Sequence, residues 1–253
     1  MRLTHLFFLL IFFTLIGCKE QGSHLSKIEG KRISISDSIS NNEDIENFIK
    51  PYRERINSDL DSVIAFSTNV FSKKDGTLNT AIGNFMADAV FSESNPIFKS
   101  RTGKDIDLVL LNHGGIRSVL PKGDITKRTA FEIMPFENSI VVVALKGHQV
   151  DSLVSYLVKR KRAHPISKLK IVLDAKDNLV TATVKDQPIN RDKTYYVATN
   201  DYLYKGNDGM TFFRPNDSLY TLNYKIRNTI IDKFNKLDTI NPVIDDRFIQ
   251  IKE

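Results

Sequence analysis

Beyond residue 44 the chain alternates between stretches in which apolar residues recur at helical spacing and short, nearly continuous apolar runs. The first stretch has apolar residues four apart, which predicts an amphipathic helix. This helix runs from Ile45, and we expect it to continue through Val63 and Ile64. A second stretch predicts a helix over residues 82–90, with Asn79 or Thr80 as its N-cap.

Several short segments have the length and the β-branched content of strands. The central one runs from Ile106 to Leu111, and its continuous apolar character predicts burial on both faces. The other predicted strands are Ser139–Leu145, Leu169–Leu173, Leu179–Val184 and Tyr195–Thr199. The polar turn between the second and third of these indicates a β-hairpin.

Three more helices complete the pattern. Thr126 is expected to cap a short helix after a turn at residues 123–126, and another helix begins at Gly147. The last helix is expected from about Leu222 to Phe234, where apolar residues recur every four positions. Because the order of elements lacks regular βαβ alternation, residues 45–253 are predicted to form a single α/β domain with a mixed β-sheet packed by helices.

The N-terminus has the pattern of an export signal. Its apolar run from Leu6 to Ile16 is too short to span a bilayer as a helix and has the size of a signal-peptide core. The run ends in Leu15-Ile16-Gly17-Cys18, which resembles a bacterial lipobox. We expect a signal peptide at residues 1–17, then a lipidated Cys18 and a flexible tether at residues 18–44. The protein would then be exported and lipid-anchored to the bacterial cell envelope; the alternative is an incidental thiol.

The formal charge is +6, from 36 Lys and Arg and 30 Asp and Glu. This excess is spread thinly, so it favours anionic partners without selecting nucleic acid. The basic run Lys159–Arg162 is compatible with a nucleic-acid patch, but cations at a helix C-terminus complement the helix dipole, and we favour that interpretation. No nucleic-acid partner is therefore expected. With a single cysteine, no intrachain disulfide can form.

The candidate chemistry lies in three loops and on the second helix. These features are Asn112–Arg117, Met134–Asn138, Asn200–Gly209 and Ile82–Ala89. Arg117 offers a planar guanidinium for a phosphate. Phe136 and Tyr202 offer two rings able to flank a base, and Asp208 is an acceptor for ribose hydroxyls.

These motifs resemble, in this order, the C-terminal domain of the bacterial and animal 5′-nucleotidases, which are periplasmic or surface enzymes that dephosphorylate nucleotides. The family carries N-x-G-G-I-R after a strand, a later P-F, and N-(D/F)-(F/Y)-L-x-x-G-x-D-G. Here the motifs are Asn112–Arg117, Pro135-Phe136 and Asn200–Gly209. The resemblance covers about Leu60 to Ile249 and implies the fold of that domain.

The resemblance also implies a nucleotide site. The implied substrate-binding residues are Asn112, Gly114, Gly115, Arg117, Phe136, Tyr202 and Asp208. The two aromatic residues would sandwich the nucleobase, the aspartate would hold ribose hydroxyls, and the arginine and asparagine would lie on the ribose-phosphate side. Two departures stand out: Leu78 occupies the place of a second phosphate-directed arginine, and Tyr202 replaces a phenylalanine.

In that family the chemistry belongs to an N-terminal metallophosphatase domain, in which two metal ions activate a water and clamp the phosphate. Its D-x-H and G-N-H-[DE] motifs do not occur here, and the five histidines are scattered. We therefore assign no catalytic residue and no cofactor to this chain. Divalent metals are expected only in a separate metallophosphatase chain, and whether this chain itself takes part in hydrolysis stays open.

Three interpretations follow. In the first, the chain is the nucleotide-recognition half of a split 5′-nucleotidase, binding nucleoside monophosphates for a metallophosphatase on the same membrane. In the second, it is a stand-alone lipoprotein that binds nucleosides or nucleotides without hydrolysing them. In the third, the fold is inherited without a ligand, and Phe136 and Tyr202 are core or rim aromatics.

Overall fold

The structure is a computed structural model that describes residues 24–251. The predicted signal peptide and Cys18 lie outside the described residues. The chain divides into two compact units, residues 1–49 and 50–253. The described part of the first unit is mostly without regular structure until a helix begins at Glu43. Within residues 24–251, none of the helices has both the length and the apolar character needed to cross a membrane.

Helices and strands alternate irregularly along the chain. The helices are α1 Glu43–Leu60, α2 Ala81–Thr102, α3 Lys127–Ile133, α4 Gly147–Arg160, α5 Asp201–Tyr204 and α6 Ile226–Asn235. The first strands are β1 Val63–Ser67, β2 Leu108–Leu110, β3 Gly123–Thr126, β4 Ser139–Lys146, β5 Ile166–Ser167 and β6 Leu169–Leu173. The later strands are β7 Leu179–Val184, β8 Gln187–Pro188, β9 Thr194–Asn200, β10 Ser218–Lys225, β11 Thr239–Ile240 and β12 Phe248–Gln250. Single 3₁₀ turns occupy His113–Gly115, Asn207–Gly209 and Thr211–Phe213.

The strands form three mixed sheets. The central sheet has the order β10-β4-β9-β2-β5, in which β2 and β9 are parallel and the other neighbours are antiparallel. Two smaller sheets have the orders β11-β1-β3 and β12-β6-β7-β8, and each contains one parallel pair. The α/β class with a mixed sheet packed by helices is therefore confirmed, although the single predicted sheet is three sheets.

The central sheet is buried on both faces, which explains the continuous apolar runs of its strands. One face packs against α4; its strand residues are Leu108, Leu110, Val141, Val143 and Val197. The opposite face packs against α2 and α6; its strand residues are Val109, Ile140, Val142 and Ala198. Successive residues of β2 and β4 thus alternate between two apolar clusters, as the two-residue period of a strand requires.

Local signals explain several element boundaries. Of the two predicted caps of α2, Thr80 is the one used: its hydroxyl accepts from the backbone N–H of Gly83 at 3.2 Å. Thr126 caps α3 as predicted, accepting from the backbone N–H of Thr129. The predicted hairpin is β6 and β7, and α4 begins at Gly147.

The extent of the first helix was predicted wrongly. Val63 and Ile64 do not continue α1, which ends at Leu60. They begin β1, which pairs with β3 and β11, and β-branched residues such as these are favoured in strands. The predicted turn at residues 123–126 is β3, the antiparallel partner of β1. Both errors have one cause, because neither short strand is recognisable until its partner is known.

The start of the last helix was also predicted wrongly. Leu222 belongs to β10, and α6 begins only at Ile226. A register shift between Thr221 and Lys225, with Asn223 in the left-handed region at φ 55°, turns the strand into the helix. Since Leu222 and Ile226 are both buried, their spacing of four imitates a continuous helix.

Candidate functional site

The candidate site lies at one edge of the central sheet. Because β2 and β9 are parallel, their carboxyl ends meet at the same edge, and the antiparallel β4 begins there, with Ile140 paired to Asn200. Three loops therefore converge: residues 111–117 after β2, residues 134–138 before β4, and residues 201–210 after β9. Ligands of α/β proteins commonly bind at such an edge.

Asn112 and Asn200 join two of these loops. The Asn200 side chain donates to Asn112 Oδ1 at 3.3 Å and accepts from the backbone N–H of Leu203 at 2.7 Å, which caps α5. Gly115 packs beneath Asn112: a Cβ at this position would lie 3.1 Å from Asn112 Oδ1. The glycine thus lets the loop fold tightly around the asparagine side chain.

The converging loops enclose a cavity of about 540 Å³, which we call the aromatic cavity. Its lining residues are Asn112, Gly114, Arg117, Phe136, Glu137, Asn138, Asp201, Tyr202 and Asp208. Six of the seven residues predicted for the substrate site line it, and the seventh, Gly115, is buried beside it. The structure therefore brings together residues that lie up to 96 positions apart in the chain, from Asn112 to Asp208.

The two aromatic rings of this cavity are accessible. Phe136 is 41% exposed and Tyr202 is 39% exposed, so neither is a core residue. The guanidinium carbon of Arg117 lies 5.7 Å from the centroid of the Phe136 ring, within cation–π range. The backbone N–H of Arg117 donates to the carbonyl of Ile133 at 2.8 Å, which fixes the arginine to the end of α3.

Asp208 is held by two tyrosines. Tyr202 Oη donates to Asp208 Oδ1 at 3.2 Å, and Tyr156 Oη donates to the Asp208 carbonyl at 2.8 Å. Its backbone lies in the left-handed region at φ 56°. Among the described residues no group donates to Asp208 Oδ2, so this oxygen is available to a ligand hydroxyl. The tyrosine hydroxyl that distinguishes Tyr202 from phenylalanine thus orients the carboxylate.

Three lining residues were not predicted from the sequence. Asp201 Oδ1 accepts from Asn138 Nδ2 at 3.1 Å and from the backbone N–H of Ser139 at 3.3 Å, which ties the second loop to the third. Glu137 is ion-paired with Lys225 and Arg227, and hydrogen bonds from Lys225 and then Arg227 lower its pKa to about 2. All three lie inside the candidate stretches Met134–Asn138 and Asn200–Gly209, but none of them was assigned to the substrate site.

A second cavity of about 470 Å³ shares Gly114 and Asp208 with the first; we call it the arginine cavity. Its other lining residues are Tyr156, Arg160, Arg162 and His164. The guanidinium of Arg160 lies 5.4 Å from the centroid of the Tyr156 ring. The basic run that ends α4 therefore does more than face the helix dipole, since its two arginines line a cavity beside residues 111–117, which we call the glycine loop.

The titratable groups near the glycine loop are shifted toward their neutral forms. Burial lowers the pKa of His164 to about 4, and the positive charge of Arg162 adds to the shift. Burial also lowers the pKa of His113, whose Nδ1 lies 3.1 Å from the Ala163 carbonyl. Lys73 has its pKa lowered by burial and then by the charges of Arg117, Arg162 and Lys74. Cationic charge is thus concentrated on this side of the molecule.

The fourth sequence feature, on α2, lies in a different place. Its Asp88 is ion-paired with Arg247, and the cavity that these two line shares no residue with the aromatic or arginine cavities. Leu78, at the position of the missing arginine, packs against the apolar cluster under α4. Within residues 24–251 no three His, Cys, Asp or Glu residues are grouped as metal ligands.

Comparison with known proteins gives the same assignment for most of the chain. The sequence profile of the family described as 5′-nucleotidase, C-terminal domain, matches residues 63–215. The trifunctional nucleotide phosphoesterase protein YfkN of Bacillus subtilis is 25% identical over 198 residues, which is 69% of this chain and 13% of that protein. An apyrase of Tabanus yao is 25% identical over 236 residues, 84% of this chain and 42% of that protein.

The fold has a match among solved structures. A 5′-nucleotidase precursor from Thermus thermophilus superposes with a TM-score of 0.68 at 21% identity, over 83% of this chain and 43% of that protein. At this level of identity the match establishes the fold alone. In each of these comparisons the chain spans less than half of the known protein's length.

Proposed function

The chain belongs to the 5′-nucleotidase C-terminal domain family, and on that premise we propose that it binds a nucleoside monophosphate in the aromatic cavity and presents it for dephosphorylation. The observation that carries this proposal is the convergence of two exposed rings, an arginine and a carboxylate in one cavity of about 540 Å³. That volume is within the usual range for a small-molecule site.

Each part of the ligand has a complementary group. A base held between Phe136 and Tyr202 gains stacking energy of about 1–3 kcal/mol, with little preference among bases. Asp208 Oδ2 accepts from a ribose hydroxyl. The guanidinium of Arg117 and the amide of Asn112 face the ribose-phosphate side, where a charge-assisted hydrogen bond is stronger than a neutral one.

We further propose that hydrolysis takes place on a separate metallophosphatase chain, with both chains on the same membrane. The metal-ligand motifs of that domain are absent from this sequence, and the chain matches only part of its longer relatives. Lipidation of Cys18 would hold this chain on the envelope membrane. The divalent metals of the partner would activate water and clamp the phosphate.

Purification from detergent-solubilised membranes tests the split enzyme. We expect the chain to co-purify with a metallophosphatase and to raise its rate of AMP hydrolysis when the two are mixed. The variant with both Phe136→Ala and Tyr202→Ala should co-purify equally well but fail to raise that rate. Isolation without any metallophosphatase, together with no gain in activity on mixing, would refute the proposal.

A second candidate function is nucleoside capture without hydrolysis. It is favoured by Leu78, which packs against the apolar core where the family pattern has a phosphate-directed arginine. Under this function adenosine and AMP would bind with equal affinity, because only base and ribose would be recognised. Calorimetric titration with the two ligands separates the candidates, since the nucleotidase half should bind AMP more tightly.

A further inference from the structure

The arginine cavity holds two cations without carboxylate partners. Within residues 24–251 neither Arg160 nor Arg162 forms an ion pair, whereas Lys161 between them is paired with Asp177. Guanidinium groups present several donors in a planar fork, which suits the oxygens of a phosphate. The two guanidinium groups are exposed to solvent, and one of them stacks on the Tyr156 ring, but neither is neutralised by an ion pair within the described part of the chain, so they are arranged for an anionic ligand.

The helix dipole accounts for only part of this arrangement. Lys159 and Arg160 lie in the last turn of α4, where cations are favourable. Arg162, however, lies beyond the C-cap residue Lys161, and the effect of the dipole is confined to the last turn. The dipole gives no reason for Arg162 to line a cavity with the glycine loop.

Further positive charge lies against the glycine loop. Lys73 Nζ donates to the carbonyl of Ile116 at 2.6 Å, which holds the ammonium beside Arg117. Burial and then the charges of Arg117 and Arg162 lower the pKa of Lys73, so each arginine is close enough to Lys73 to repel it. Repulsion among like charges near a partly buried surface is relieved when an anion binds between them.

Asp208 and Gly114 line both cavities. The Asp208 carboxylate meets Tyr202 in the aromatic cavity, and its carbonyl meets Tyr156 in the arginine cavity. A ribose held at Asp208 would therefore have the base on one side and the arginines on the other. The Asp208 carboxylate is the one acidic group among the residues that line the arginine cavity.

We infer that Arg160 and Arg162 form an anion site that receives a phosphate group of the ligand whose base lies in the aromatic cavity. The part of this inference that concerns the base rests on the proposed function; the anion site rests on the arginine cavity alone. It supplies from the end of α4 the second phosphate contact that Leu78 cannot make. The ligand class is therefore a nucleotide rather than a nucleoside.

Calorimetric titration of the purified full chain with adenosine, AMP and inorganic pyrophosphate tests the inference. The variants are Arg160→Gln and Arg162→Gln, singly and together, with Lys159→Gln as the control. Lys159 is exposed, lies outside both cavities and carries the same charge at the same helix end. The control therefore corrects for net charge and for the helix dipole.

We expect the double variant to bind AMP at least about tenfold more weakly, as loss of a charge-assisted hydrogen bond predicts. Its affinity for adenosine should be unchanged, pyrophosphate binding should disappear, and Lys159→Gln should leave all three affinities unchanged. If adenosine binds and the double variant keeps full AMP affinity, the anion site is refuted and the proposed function stands. If pyrophosphate binds through the arginines but adenosine and AMP do not bind, the anion site stands and the proposed function fails. Absence of binding by all three ligands refutes both.

Discussion

Arg247 and Arg162 show two ways in which this chain uses an arginine. Arg247 makes bidentate contacts to both Asp88 and Asp245, at 2.7–3.1 Å, and also donates to the carbonyl of Ile166. Although burial opposes it, hydrogen bonds to Asp245 and Asp88 raise the pKa of Arg247. Arg162 has no carboxylate partner within residues 24–251 and lines a cavity with Gly114 and Asp208.

The difference between the ion-paired Arg247 and the unpaired Arg162 distinguishes charged residues that stabilise the fold from charged residues that are candidates for ligand binding. Asp88 lies in Ile82–Ala89, one of the stretches with candidate chemistry, but the structure uses Asp88 and Arg247 to fasten the final segment to α2 and β5. The neighbouring Asn84 supports the same connection by donating to the carbonyl of Val243 at 3.0 Å. A charge satisfied within the protein stabilises the fold, whereas unsatisfied charges beside a cavity indicate a ligand.

The largest effect should come from breaking the paired network. Arg247→Met leaves Asp88 and Asp245 without their cation, and we expect unfolding free energy to fall by about 3 kcal/mol, the lower end for a broken buried pair because Asp88 keeps contact with water. Arg162→Met, the matched control, should change stability by less than about 0.5 kcal/mol. Urea denaturation measures both, and equal losses would remove the distinction between the two arginines.

A pH dependence should follow from His164, which is buried and lines the arginine cavity. Because its pKa is about 4 in the folded chain and near 6.5 when unfolded, the unfolded chain binds the proton first as pH falls. The contribution of His164 to the free energy of unfolding is fully present above about pH 6.5. It is lost as the pH falls toward 4, by about 3 kcal/mol in total. His164→Gln should flatten this decline in urea titrations between pH 7 and pH 4, and the exposed His148→Gln should not. An identical slope in both variants would contradict the assignment.

A smaller effect is expected in binding when one ring is removed. Phe136→Ala should weaken nucleotide binding about tenfold, because one stacking face of the base is lost. Phe66 has similar exposure, at 44%, but belongs to β1 of a separate sheet, so Phe66→Ala serves as the control. If fluorescence competition finds the same affinity for both variants, the base does not lie on Phe136.

The smallest effect should come from Tyr202→Phe. The ring remains, and only the 3.2 Å hydrogen bond to Asp208 is lost, at an exposed position where such bonds contribute little. We expect nucleotide affinity to change by no more than about threefold. Tyr202→Ala, measured in parallel, should resemble Phe136→Ala. A large loss in Tyr202→Phe would mean that orienting Asp208 matters more than stacking.

Six of the nine residues that line the aromatic cavity could be predicted from the sequence because they lie in short motifs next to strong strands. The order of Asn112, Phe136 and Tyr202 along the chain matched the family pattern, and the apolar runs of β2, β4 and β9 fixed the loops in which they lie. The interpretation of the two aromatics as core residues is excluded by their exposure. Their role in binding stays a prediction.

The arginine cavity could not be predicted, because it depends on long-range placement. Nothing local in Lys159–Arg162 distinguishes a helix end from a ligand site, and the distinction appears only when α4 is packed beside the glycine loop. The strand positions of Val63 and Leu222 were missed for the same reason. Their short strands are stabilised by partners distant in sequence, which override the helical spacing of the apolar residues.

A crystal structure of the full chain soaked with AMP tests the central claim most directly. We predict density for the base between the rings of Phe136 and Tyr202, a ribose hydroxyl at Asp208, and the phosphate beside Arg117 and the arginine cavity. Density for AMP at another surface, or none at a concentration that saturates binding in solution, would contradict the account.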